Sequence, residues 1–123
     1  MVGTVDVGEP TGDPELDAAG LPGLRKVGPK KKQTQFRLRV RNTGDGDAER
    51  LRLCARAPKA RVNVQGQICR VLADGLAAGD RHLETYRLRI KPPARGKLTK
   101  IRMTANGPGM QAQRSVVRLR VRR

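Results

Sequence analysis

Residues 34–44, TQFRLRVRNTG, alternate one apolar side chain with one basic one and then stop at Asn42-Thr43-Gly44. Phe36, Leu38 and Val40 leave one side of an extended chain, and Arg37, Arg39 and Arg41 leave the other. Successive side chains of a β-strand point to opposite faces, so a period of two predicts a strand with one buried face and one wet face. The pattern returns in YRLRIK (86–91) and in VVRLRVRR (116–123), and more weakly in 49–55, 60–64, 67–72 and 99–105. With LRKV (24–27) the chain offers seven or eight short strands and no helical periodicity. NTGDGD, APKA, QGQ, LAAGD, PPARG and NGPG lie between them as turn signals. Strands this short and this regularly spaced predict an all-β sandwich rather than a barrel, because the alternation requires one wet face per sheet. The rows at 36–41 and 117–122 would repel if they faced each other in one ladder, so they are expected in different sheets or against Thr, Gln and Glu.

Composition sets further bounds. A chain of 123 residues that is 37% hydrophobic can build one modest core. Phe36 and Tyr86 are the aromatic residues and Trp is absent, so Leu, Val, Ile and Ala must fill that core. The same scarcity argues against binding that depends on stacking flat rings, as in single-strand nucleic-acid platforms and most carbohydrate sites. Twenty-seven Lys and Arg against eleven Asp and Glu give a net charge of +16. Residues 1–23 hold Asp6, Glu9, Asp13, Glu15 and Asp17 and no base, so every cation lies beyond them.

Residues 1–23, rich in Gly, Pro and acids, read as a lead-in or linker, with 2–7 (VGTVDV) as the end of a preceding domain. A short helical turn at Pro14–Ala19 would have almost nothing to bury. The sandwich is expected over 24–123. No apolar run approaches a membrane span, and the first residues lack the pattern of a signal peptide. The sequence reads as a piece of a longer chain.

Cys54 and Cys69 are expected to form a disulfide, stabilising by about 3 kcal/mol through loop closure and indicating an oxidising compartment. The other reading is two buried free thiols. Zinc is disfavoured, since His82 is the one histidine and four ligands are wanted. His82, Ser115 and the acids Asp45, Asp47, Glu49, Asp74, Asp80 and Glu84 form no recognisable catalytic grouping. The expectation is a protein without catalytic residues or cofactor. Asn42, Asp45 and Asp47 are a weak calcium candidate, read first as a turn. Lys30-Lys31-Lys32 reads as an edge guarded against aggregation. The candidate binding set is Arg37, Arg39, Arg41, Arg87, Arg89, Lys91, Arg118, Arg120 and Arg122, whose rows could track phosphates or sugar acids, or could be solvated faces.

The stretch FRLRVRNTGDGDAERLRLCARAP (36–58) resembles bacterial cell-surface repeats of the CARDB (cell-adhesion-related domain in bacteria) and Asn-Thr-Gly kind. Leu76-Ala77-Ala78-Gly79-Asp80 and Gly107-Pro108-Gly109 match their turns, and the cysteine pair resembles that of actinobacterial versions. The resemblance covers about 24–123 and implies a seven-stranded, antiparallel immunoglobulin-like sandwich in exported multidomain proteins, acting as spacer, stalk or adhesion module at the cell surface. The strong basicity departs from the family, whose repeats are often neutral or acidic. The implied partners are an unknown protein, a cell-wall polyanion or neighbouring repeats; nucleic acid is the less favoured alternative.

Overall fold

The computed structural model describes residues 12–123; the reading of 2–7 as the end of another domain lies outside them. The chain is a sandwich of two sheets. In chain order the strands are β1 Leu16–Leu21, β2 Leu24–Val27, β3 Gln33–Asn42, β4 Leu51–Arg56, β5 Val62–Val64, β6 Cys69–Leu72, β7 Arg81–Ile90, β8 Leu98–Asn106 and β9 Gln113–Val121. The four-stranded sheet runs β1-β3-β7-β5 and the five-stranded sheet β2-β9-β8-β4-β6.

The alternation in the sequence is the alternation of burial. Phe36, Leu38 and Val40 of β3 face Leu53, Ile101, Met103, Val117 and Leu119 across the sandwich in one core, all fully buried. Their arginine neighbours point away from it. Packing of two inner faces at about 10 Å explains why alternate positions of every long strand are apolar. The rows at β3 and β9 do fall in different sheets.

Two features differ from the sequence reading. Leu16–Leu21 lies within the span expected as linker or helical turn, yet it is an edge strand antiparallel to β3. Its signal is faint because its inward positions after Leu16 are Ala18 and Gly20. Gly20 must be small: a Cβ on it would collide with Val117 Cγ1, and its N–H donates to Ser115 Oγ at 2.7 Å. The chain then turns at Pro22-Gly23 and changes sheets, so that β2 pairs with β9 in parallel rather than antiparallel. One segment thus seals this edge of both sheets, and the described residues hold nine strands where seven or eight were expected.

The Asn-Thr-Gly turn is built around a buried amide. Asn42 Oδ1 accepts from the Glu15 and Gly44 N–H groups at 3.2 and 3.1 Å, while Nδ2 donates to the Gly46 and Leu76 carbonyls at 2.8 and 3.0 Å. Its backbone N–H donates to Asp80 O and its carbonyl accepts from Gly79 N–H. Gly79 holds φ at +83°, a conformation that favours glycine. Asn42-Thr-Gly and Leu76–Asp80, far apart in sequence, are therefore one bonded unit. Gly44 is needed because a Cβ there would strike the Asp13 carbonyl. Asn42→Ala removes four hydrogen bonds, one buried and three part-buried, and is expected to cost about 3 kcal/mol, read as a lower urea midpoint. Thr43→Ala, losing one exposed 3.3 Å contact to Glu15 O, should cost less than about 1 kcal/mol; equal losses would contradict this account of the turn.

Candidate functional site

The alternation that fills the core also drives the basic side chains outward, and the two sheets carry different surfaces. From the four-stranded sheet project Arg37, Arg39 and Arg41 of β3 and Arg81, Arg87 and Arg89 of β7. Arg41 stands directly opposite Arg81, but the others are interrupted by other chemistry. Arg37 stands opposite Thr85, Arg39 opposite exposed Leu83, and Arg87 and Arg89 opposite Gln35 and Gln33, while Asp17 of β1 lies beside Arg41.

The five-stranded sheet is more uniform. None of its strands contains an acid. Arg56 is directly opposite Arg102, Lys100 opposite Arg118, and Lys26 beside Arg120. Like charges placed opposite one another on a sheet are destabilising. Arg118 and Arg120 stand here, with Arg122 just past the strand end. The candidate set therefore divides between two opposite faces rather than forming one. Arg56, Lys100 and Arg102, which the sequence reading passed over, complete the second face; their strands alternate too weakly in sequence to have drawn notice.

Lys91 belongs to neither face. It lies past the end of β7, with Nζ donating to the Lys59 carbonyl at 2.6 Å. There, at one end of the sandwich, Lys30, Lys31, Lys32, Arg89, Lys91 and Arg95 line a cleft whose apolar part is Pro29, Ile90 and Pro92. The lysine run thus follows strand β2 as part of a cleft wall. Among the described residues no acid lines this cleft.

The disulfide joins Cys54 of β4 to Cys69 of β6, directly opposite neighbours with Cα atoms 4.1 Å apart. It lies within one sheet and ties the short edge strand β6 to β4, instead of bridging the two sheets.

At that same edge, Arg70 of β6, itself largely exposed, reaches Glu84 of β7. Its Nε meets Glu84 Oε2 at 2.9 Å, and His82 Nε2 meets Glu84 Oε1 at 3.0 Å. Glu84 is an inward-facing carboxylate, 7% exposed, so both partners offset its loss of water. The opposite edge is closed in a related way by Arg25, whose guanidinium lies 5.9 Å from the centre of the Phe36 ring. Alternation alone marks neither of these arginines for such a contact. His82 and Glu84 are thus brought together, but as parts of an edge closure, beside the salt-bridged Arg70. Asn42 of the calcium candidate spends its carbonyl oxygen on two backbone N–H groups, and Asp47 Oδ1 accepts from Ala78 N–H at 2.9 Å. The turn reading accounts for those contacts. Among the described residues no cluster of His, Cys, Asp or Glu has a metal-binding arrangement.

Tyr86 stands next to Glu84 on the inner face, and burial, reinforced by the Glu84 charge, pushes its phenol up to about 12. Its folded value exceeds its free value, so its contribution to stability holds below pH about 10 and is lost as pH rises through about 12. Tyr86 is the one tyrosine and Trp is absent, so ultraviolet absorbance reports this group alone. Tyrosinate should appear near pH 12 together with loss of β-structure; titration near pH 10 with the fold intact would contradict the buried placement.

No protein-family model matches the chain, and no curated protein matches it. Its likeness to solved structures is one of fold. The periplasmic chaperone SfaE superposes with a TM-score of 0.61 at 14% identity, over 86% of this chain and 56% of that one. The Escherichia coli chaperone DraB gives 0.52 at 13% identity, over 85% and 53%. The chain spans little more than half the length of these chaperones. The CARDB domain of a Pyrococcus furiosus protein, solved in complex with di-metal ions, gives 0.56 at 15% identity, over 89% of this chain and 94% of that domain. The chain has a CARDB-like, immunoglobulin-like β-sandwich fold.

Proposed function

We propose that the chain is a non-catalytic module of an exported protein, serving as a spacer or adhesion unit at the cell surface. The observation that carries this reading is the Cys54–Cys69 bond in a small sandwich, since disulfides persist in oxidising compartments. The fold likeness to a periplasmic chaperone and to a CARDB domain is consistent with it. Rigid closure at both edges suits a unit that sets spacing: one edge is held by β1 and β2 with Gly20 and Arg25, the other by the disulfide and the Arg70–Glu84 ion pair. The domain would comprise the sandwich over 24–123 together with the β1 segment before it, and neighbouring repeats or an unknown protein would be its partners.

A second reading is a polyanion-binding domain for teichoic acid, acidic polysaccharide or nucleic acid. The acid-free five-stranded sheet favours it, because cations left opposite one another gain most from an external counter-charge. No ring platform or groove-reading helix supports base recognition, so nucleic acid is the weaker member of that class.

The first reading is tested in the native host with an epitope-tagged chain. Intact cells should expose the tag to an impermeant label, and mass spectrometry after alkylation without reductant should find Cys54 and Cys69 unmodified. A tag shielded until lysis, with both thiols alkylated, would contradict export.

A further inference from the structure

The end cleft gathers six cations around one concave site. Three segments converge on it: Lys30–Lys32 from the connection between β2 and β3, Arg89 and Lys91 from the end of β7, and Arg95 from the connection leading to β8. Ion pairs among the described residues are confined to Glu84, so none of these six cations is held by a carboxylate. A concave site lined by one sign of charge beside low-dielectric walls focuses the field, which a flat face does not do.

We propose that this cleft binds a ligand carrying several phosphate groups in series. Six cations drawn together require a dense counter-charge, and consecutive phosphates supply more of it per unit length than the single carboxylate of each sugar in a uronic acid polymer. The two kinds of cation divide the work. Arg89 and Arg95 can present planar forks to two oxygens of one phosphate, and the lysines add compact point charges to its neighbours. Two of the six are positioned in advance by backbone carbonyls: Arg95 Nε donates to Pro29 O at 3.1 Å, and Lys91 Nζ to Lys59 O at 2.6 Å. Arg95 spends only one of its five N–H groups this way, leaving its terminal nitrogens for a ligand. Fixing cations before binding lowers the ordering cost that weakens most contacts with surface lysines.

The inference rests on the polyanion reading and narrows it, from rows on two open faces to one end of the sandwich. Arg89 and Lys91 leave the face rows and join the lysine run, whose role as an edge guard does not account for its convergence with Arg95.

Calorimetric titration of the full chain with sodium tripolyphosphate, at about 150 mM salt to suppress non-specific attraction, tests it. Saturable binding is expected. Lys31→Gln, Lys32→Gln and Arg89→Gln combined should weaken it about tenfold or more, with the thermal midpoint unchanged, because these side chains are exposed. Arg102→Gln, Arg118→Gln and Arg120→Gln combined should change it less than about twofold. Binding lost only in the second variant would overturn the cleft and leave the polyanion reading standing. Heparin or polygalacturonate binding more tightly than tripolyphosphate at the cleft would overturn the phosphate assignment. The absence of saturable binding by any of the three would overturn the cleft and the polyanion reading together.

Discussion

The buried amide of Asn42 holds the register on which the rest of the molecule depends. It sits at the end of β3, and its backbone exchanges hydrogen bonds with Gly79 and Asp80 immediately before β7 begins. That contact fixes Val40 opposite His82 and Phe36 opposite Tyr86. A slip of one residue along this ladder would turn the arginines of one strand inward and its apolar side chains outward. The register thus decides at once which residues make the core and which charges face water. The same amide holds Glu15 just before β1, so the edge that closes the sandwich is set from the same point.

Much of this was legible because the long strands alternate so strictly. β3, β7 and β9 could be placed from their periods, and two of the three turns that resemble surface-repeat signatures, Asn42-Thr43-Gly44 and Leu76–Asp80, are joined through Asn42. The cysteine pair was also legible, though not its position within one sheet. What escaped had a physical reason in each case. β1 was hidden because its inward positions after Leu16 are Ala18 and Gly20, the glycine demanded by close approach to β9, and these carry no strong hydrophobic signal. Arg25 and Arg70 lie in the short strands LRKV and CRVL, which have no strict alternation to show which way a side chain leaves. At the sandwich edges each reaches a residue of the other sheet, Phe36 or Glu84. The end cleft gathers residues from three separated segments, and no local pattern announces such a convergence.

Charge is the remaining theme. A core of aliphatic residues with Phe36 and Tyr86 leaves every second strand position to solvent, and this chain places Arg or Lys at many of them. The fold itself uses few of these cations: Arg70 answers Glu84, the one buried carboxylate among the described residues, and Arg25 covers a ring. The others are crowded across the acid-free sheet or converge on the end cleft, where the protein supplies no counter-charge among the described residues. Stability does not account for that arrangement, since like charges in apposition oppose it. The proposed encounter with an anionic ligand would give that arrangement a use.

The claim that the end cleft is the site of that encounter is tested most directly by nuclear magnetic resonance, following backbone and guanidinium signals as tripolyphosphate is added to the isotope-labelled chain. The account predicts saturating shifts concentrated at Lys30–Lys32, Arg89, Lys91 and Arg95, with the signals of Arg102, Arg118 and Arg120 nearly still. Shifts that spread evenly over both sheet faces and grow without saturation would contradict it.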